Sequence, residues 1–245
     1  MDWNEPAILM AVQPHGESGL VAQMFTRTYG RHAGFVSGGN GRRQKSLYQR
    51  GNLVQAAWRG RLSEQLGNFT CEPLGLRASD FLDDALRLDA LSSAMTMLAT
   101  TLPEREPHPN LYDATLAWLE GLSGPYWGET LVFLEVRLLE VLGFGLDLKS
   151  CAATGSTVDL DYISPRSGRA VSREAAEPYK DKLLRLPGFM VGKEETSLQA
   201  VYDGLQMTGY FFEKFIFHAQ NKPLPEAHSR LTNRLQRELS KEATD

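Results

Sequence analysis

The sequence predicts an α+β protein in which a small β-barrel precedes an α-helical bundle. Five short apolar segments, separated by turn residues, occupy the chain up to residue 76. From Ser79 onward, apolar residues recur at helical spacing instead. The charge divides at the same place: residues 1–77 carry nine Lys and Arg against five Asp and Glu, and the rest carries seventeen against twenty-five. We therefore predict two domains, residues 1–78 and 79–245.

The five apolar segments have the length and spacing of strands in a small barrel. They cover residues 5–13, 19–28, 33–37, 52–62 and 66–76. Five short strands in this length of chain, with a basic Gly-rich loop after the third, are typical of an OB-fold barrel. A small open sandwich fits the same pattern.

The remainder of the chain is predicted to be helical, with one irregular insertion. Ser79 has the position of an N-cap, and Asp80 follows it in the first turn. The predicted helices span residues 79–102, 111–122, 128–144, 173–186, 195–219 and 226–241. Residues 145–172 form an irregular knuckle between the third and fourth of these helices.

The chain of 245 residues has the composition of an ordinary globular protein, with 42% hydrophobic and 23% charged residues. No apolar run reaches the roughly 18–20 residues that a membrane helix needs. The first residues, MDWNEP, lack the features of a signal peptide. Two cysteines, Cys71 and Cys151, are too few for a disulfide framework. These features predict a cytoplasmic protein with no membrane partner.

One long stretch of this acidic chain is free of carboxylates. No Asp or Glu occurs from Ser18 to Ser63, although eight Lys and Arg lie there, interleaved with aromatic residues. Cations neutralise phosphates and aromatic rings stack on unpaired bases, so the pattern favours nucleic-acid binding over a merely solvated surface. We expect Phe25, Phe35 and Trp58 to be needed in the barrel core. The predicted DNA-binding residues are Arg27, Arg31, Arg42, Arg43, Lys45, Tyr48, Arg50, Arg59 and Arg61.

No residue pattern in the sequence indicates catalysis. Residues 39–46, GNGRRQKS, nearly match the phosphate-binding loop of nucleotide hydrolases, but Gln44 replaces the second Gly of that pattern. A Cβ at this position obstructs the wrapping of the backbone around phosphates. The five histidines are scattered, and Asp159 and Asp161 read as solvated carboxylates on one face of a strand. We therefore predict no enzyme activity, no cofactor and no metal.

Three other functions stay open on the residue patterns alone. An RNA-binding OB-fold protein would show the same distribution of charge. A nucleotide hydrolase would use the Gly39–Ser46 loop, and DNA-stimulated ATP turnover by the pure protein would support it. A structural adaptor would use the basic surface to dock an acidic protein.

Three blocks of the sequence resemble the RecO family of bacterial recombination mediators. They lie in the family's order and are GESGLVAQMFTRTYGRHAGFVSGGNGRRQKSLYQRGNLVQ, LLEVLGFGLDLKSCAATG with YISPRSGRAVS, and NKPLPEAHSRL. The resemblance implies an N-terminal OB-fold and a C-terminal helical domain. It also implies binding of single-stranded and duplex DNA, annealing of complementary strands, and help in loading RecA onto strands coated by single-strand-binding protein. Such a protein would be associated with the nucleoid.

The resemblance also implies two protein partners, RecR and the C-terminal tail of the single-strand-binding protein. That tail is acidic and ends in an apolar residue, so its receptor needs an apolar pocket with Arg or Lys at the rim. Arg137, within the otherwise apolar VFLEVRLLEVL, is the candidate rim residue. An ordinary surface pair between Glu and Arg is the simpler reading of the same residue.

The knuckle departs from the family pattern. Many members carry four zinc-binding cysteines, whereas this sequence keeps Cys151 and has Thr154, Ser172 and Ala175 at the other three positions. A structural zinc site needs four good nitrogen or sulfur ligands. The residues present cannot supply them, and we predict a knuckle held by turns and packing without zinc.

Overall fold

The chain folds into two compact units, residues 1–120 and 121–245. The computed structural model describes residues 2–41, 44–61, 66–193 and 196–242. Arg42 and Arg43, which belong to the predicted DNA-binding set, lie outside these ranges. The predicted domain boundary after residue 78 follows the last strand of the barrel, and the compact unit that contains the barrel extends to residue 120.

Five strands form a closed barrel in the first unit. They are β1 Asp2–His15, β2 Gly19–Thr26, β3 Gly30–Val36, β4 Leu53–Arg59 and β5 Gly67–Gly75. Their order around the barrel is β1-β2-β3-β5-β4, with β3 and β5 parallel and the other pairs antiparallel. The predicted fold class, an OB-fold barrel followed by a helical region, is confirmed.

Side-chain alternation along the strands separates the barrel core from its outer surface. In β4, Val54, Ala56 and Trp58 are buried, whereas Arg59 is exposed. Trp58 is paired with Trp3 across β1 and β4, and both rings belong to the same core cluster. The period of two therefore assigns the residues of β4 from Val54 onward to one face or the other, which decides what can meet a ligand.

Two long helices complete the first unit. They are α1 Ala85–Thr101 and α2 Pro109–Gly121. The predicted N-cap at Ser79 is wrong: Ser79 lies in a 3-10 turn and its hydroxyl donates to the carbonyl of Leu76 at 2.7 Å. Asp84 caps α1 instead, because its carboxylate accepts the N–H of Arg87 at 3.0 Å.

The second unit combines helices with a small sheet. Its elements are α3 Trp127–Val141, β6 Leu160–Ile163, β7 Ala170–Ser172, α4 Arg173–Ala176, β8 Leu184–Arg185, α5 Leu198–Phe212 and α6 Glu226–Glu242. The strands pair in the order β7-β6-β8. The predicted helix over 173–186 is wrong, since α4 covers four residues and gives way to a 3-10 turn and then to β8. Pro178 lies at the start of that turn and supplies no N–H for a continuing helix.

The core of the second unit holds a polar cluster between α3, α5 and α6. The hydroxyl of Thr208 donates a hydrogen bond to the carboxylate of Glu135, and His228 Nε2 lies 3.5 Å from the same oxygen. All three side chains are buried. Across the described ranges, none of the helices has the length and apolar character needed to cross a membrane.

Candidate nucleic-acid interface

The outer surface of the barrel carries a strip that runs across β3, β5 and β4. Asn68 of β5 is the register partner of Phe35 on β3 and of Arg59 on β4, so these two residues flank it. Phe35 is half-buried and its ring meets His15 edge-on at 5.7 Å. The expectation that Phe35 is a core residue is wrong, because its neighbours Gly34 and Val36 are the buried ones.

Three cations of the predicted set have open side chains. Lys45, Arg59 and Arg61 are exposed, and none forms an ion pair or a side-chain hydrogen bond with another residue in the described ranges. Arg61 lies in the connection from β4 to β5, one of the loops with which OB-folds bind oligonucleotides. These three side chains are therefore available to phosphates.

Arg27 and Arg31, by contrast, are held by other parts of the first unit. Arg27 Nε and Nη2 donate to the two carboxylate oxygens of Asp113 on α2 at 2.9 and 3.0 Å, and this pairing raises the pKa of Arg27. Arg31 Nε donates to the carbonyl of Leu102 at 2.7 Å, and its Nη1 lies 3.5 Å from Glu104. Burial lowers the pKa of Arg31.

The remaining predicted cation, Arg50, lies beside α1. Its Nη1 is 3.5 Å from the hydroxyl of Ser92, which is a long and weak contact. The predicted cations thus contact different elements: Arg27 contacts α2 and Arg50 contacts α1. Arg59 lies on the barrel, opposite Asp2 and Asn68. The structure does not gather the predicted set into one cluster.

Tyr48 is not available to a nucleobase in this structure. Its side chain is 5% exposed and packs in the barrel core, where its hydroxyl lies beside the Cys71 thiol. Burial raises the pKa of Tyr48, and it also raises the pKa of Cys71 to about 11, so both groups are neutral at physiological pH. The assignment of Tyr48 to the DNA-binding set conflicts with this burial, because stacking requires an open ring face.

Several backbone donors in the described part of the Gly39–Ser46 loop are already bonded to backbone carbonyls. The N–H groups of Gln44 and Lys45 both bond the carbonyl of Gly41, and those of Leu47 and Tyr48 bond the carbonyl of Gln44. A phosphate-binding loop needs such N–H groups directed at the ligand. The segment after the loop consists of turns rather than a helix.

Three of the four knuckle positions meet around the Cys151 sulfur. The backbone N–H and hydroxyl of Ser172 lie 3.3 and 3.4 Å from Sγ. Burial opposes ionisation of this thiol, but the hydrogen bonds from Ser172, and then those from Thr154, lower its pKa to about 6. One thiol accepting from hydroxyls does not fit a tetrahedral zinc site. Among the described residues, no group of three or more His, Cys, Asp and Glu side chains could hold a metal ion.

Arg137 projects from the exposed face of α3 in the second unit. It forms no ion pair within the described ranges, and the expected alternative, a surface pair with Glu, is not present there. One turn earlier, the Phe133 ring is 45% exposed and meets Phe189 edge-on at 5.6 Å. An open guanidinium therefore lies one helical turn from an exposed Phe ring that packs on a half-buried one.

Both halves of the chain match models of one protein family. The family model described as Recombination protein O N terminal matches residues 1–76, and the one described as Recombination protein O C terminal matches residues 82–223. The DNA repair protein RecO of Rhodospirillum centenum is 47% identical over 96% of this chain and 94% of its own length. The proteins of the same name from Rhodospirillum rubrum and Caulobacter sp. strain K31 are 43% and 45% identical, with at least 96% of each chain covered.

Proposed function

This chain belongs to the RecO family of DNA repair proteins, and we propose that it is a DNA-binding mediator of recombinational repair. In this proposal it binds single-stranded and duplex DNA through residues 1–78 and anneals complementary strands. It also helps to load RecA onto strands coated by single-strand-binding protein. It does this by electrostatics and stacking, without catalysis, in the cytoplasm and in association with the nucleoid.

The observation that carries the proposal is the presence of three open cations in the first unit. Lys45, Arg59 and Arg61 form no ion pair among the described residues, and the sequence around them lacks acidic residues over 18–63. Such side chains bind phosphates by releasing condensed counterions, which requires no particular base sequence. Phe35 and Arg59 flank Asn68 on the outer surface of the barrel, and Phe35 offers a half-buried ring to an unpaired base.

Annealing follows from the same surface. Two complementary strands repel each other through their phosphates, and a cationic surface screens that repulsion while the base edges stay free to pair. No step of this process requires nucleotide hydrolysis, and the internal hydrogen bonding of residues 44–48 supports a role without it.

The proposed protein partners are RecR and the tail of the single-strand-binding protein. Arg137 and the exposed ring of Phe133, which packs on the half-buried Phe189, supply a cation and an apolar surface on the second unit. An acidic peptide that ends in an apolar residue needs both features. Loss of tail-peptide binding in Arg137→Glu, with the fold intact, would support this site, and unchanged binding would rule it out.

The first test is a salt titration of DNA binding. The triple variant Lys45→Ala/Arg59→Ala/Arg61→Ala should bind a labelled single strand more weakly. The slope of log affinity against log salt should be shallower by about two to three units, because three phosphate contacts are lost. The control variant Lys149→Ala/Arg166→Ala/Lys182→Ala removes the same charge from exposed sites of the second unit. Equal salt slopes in wild-type protein and the first variant would overturn the proposed surface.

A further inference from the structure

We propose that a pocket at one end of the barrel binds a single unpaired nucleobase. The pocket has a volume of about 220 Å³ and opens where β1 begins, β4 ends and the turn between β2 and β3 crosses. Its lining consists of Asp2, Trp3, Thr28, Tyr29, His32, Trp58 and Arg105. This inference rests on the proposed DNA binding and adds to it a preference for single strands.

The walls of the pocket are aromatic and flat. The Trp3 ring lies nearly parallel to that of Tyr29, with 4.9 Å between centroids and 11° between planes, and Trp58 continues the stack at 6.3 Å and 13°. Tyr29 is 37% exposed, so the outer end of this column reaches solvent. A planar heteroaromatic ring is the ligand that gains most from such walls.

The pocket also contains buried polar atoms without partners. His32 is 5% exposed and lies edge-on between Trp3 and Trp58, at 5.3 and 4.8 Å. Trp3 Nε1 has no hydrogen-bond partner in the described ranges, and the His32 ring nitrogens have none of good geometry, although the backbone of Tyr29 lies close enough to raise the pKa of His32. Leaving such groups unpaired is unfavourable, and a ligand that accepts from the indole and pairs with the imidazole would satisfy them.

The charge state of His32 suits a neutral ligand. Burial, and then the positive charge of Arg105, lower its pKa, so the imidazole is neutral at physiological pH and can both donate and accept. Asp2 adds a carboxylate acceptor at the pocket lining. A nucleobase edge presents donors and acceptors together, whereas a phosphate would meet the Asp2 carboxylate in a mostly aromatic cavity.

The pocket lies beside Arg59, one of the proposed phosphate-binding side chains. Asp2 is the register partner of Arg59, and Trp58 of the lining precedes Arg59 in β4. A strand whose phosphates contact Arg59 can therefore place one base in the pocket. Bases of a duplex are paired and stacked and cannot enter without being extruded, so the pocket favours single strands.

The test compares a thymidine strand of about 12 nucleotides with an abasic strand of the same length and charge, which removes the base and keeps the phosphates. Tyr29→Leu should weaken binding of the thymidine strand by about five- to 100-fold, while binding of the abasic strand changes by less than about twofold. Tyr210→Leu alters a tyrosine of the second unit with nearly the same exposure, 38%, and should change neither. Tyr29 is exposed, so its replacement should leave the fold intact.

A second variant tests the buried donor. Trp3→Phe keeps an aromatic ring and removes the indole N–H, and we expect about a two- to tenfold loss for the thymidine strand only. If wild-type protein binds both strands equally and Tyr29→Leu changes nothing, the pocket proposal fails while DNA binding stands. If wild-type protein binds neither strand at low salt, the proposed function itself fails. Occupation by an acidic peptide with an apolar end, and not by the strand, would assign the pocket to a protein and overturn the inference.

Discussion

The turn between β2 and β3 and the end of β4 both carry arginines, but the two regions use them differently. At the turn, Arg27 is engaged by Asp113 and Arg31 by Leu102, partners that lie 86 and 71 residues away in the chain. At the end of β4, Arg59 and Arg61 have no such partner in the described ranges. Arginines of equal charge in the sequence are therefore not equally available to DNA, because the fold brings a distant acceptor to one and none to another.

The largest expected effect comes from breaking the packing over the turn. Gly30 has a φ of +64°, and a Cβ there would overlap the carbonyl of Glu106. Gly30→Ala should therefore lower the free energy of unfolding by about 3 kcal/mol or more, because backbone must move. The change can be measured by denaturant unfolding.

Gly16→Ala is the matched control for that variant. Gly16 has the same φ of +64° and no heavy atom within 4 Å of the added Cβ. Gly16→Ala should lower the free energy of unfolding by only about 1–2 kcal/mol, the cost of placing an alanine in the left-handed backbone conformation. Equal losses in the two variants would show that the 104–106 segment does not restrain the turn.

The next effect concerns the open arginines directly. Arg59→Glu/Arg61→Glu should reduce affinity for single-stranded DNA by about 10- to 100-fold at low salt, because two attractive contacts become repulsive. Arg27→Ala, which removes an engaged cation, should change affinity by less than about twofold. Fluorescence anisotropy with a labelled oligonucleotide measures both. A larger loss in Arg27→Ala would reverse the comparison.

Two aromatic residues of the first unit differ in the same way, since Phe35 points outward and Tyr48 is buried. Phe35→Leu should weaken single-strand binding by about fivefold or more while leaving the fold intact, because the outward ring is lost. Tyr48→Phe should leave DNA binding unchanged and lower the free energy of unfolding by about 1 kcal/mol, since only a buried hydroxyl contact is removed. Weaker DNA binding in Tyr48→Phe would contradict the assigned positions.

The smallest expected effect comes from converting an engaged arginine into an open one. Asp113→Asn removes the charge that holds Arg27, and it should raise DNA affinity about two- to fivefold and steepen the salt slope by about one unit. Asp147→Asn makes the same change beside Arg169 in the second unit and serves as the control. Identical gains in both variants would indicate a general effect of net charge rather than release of Arg27.

Local patterns account for the parts of the molecule that sequence reasoning predicted. The five strands follow from apolar segments bounded by turn residues, and the acid-free window follows from counting charges. Predictions that depended on one residue were less reliable. Ser79 and Asp84 are both good N-cap residues within the same turn-rich stretch, and the sequence pattern does not distinguish them, whereas in the structure Asp84 caps α1.

The sequence by itself determined the α+β class, the barrel and the stretch of chain in which an anionic partner can bind, because these depend on short-range periodicity and composition. The tertiary structure decided which side chains in that stretch are available. It buries Tyr48, turns Phe35 outward, and joins Trp3, Tyr29 and His32 in one pocket. The physical reason is that burial and pairing depend on residues far apart in the chain, and only the closed barrel and its helices bring these together.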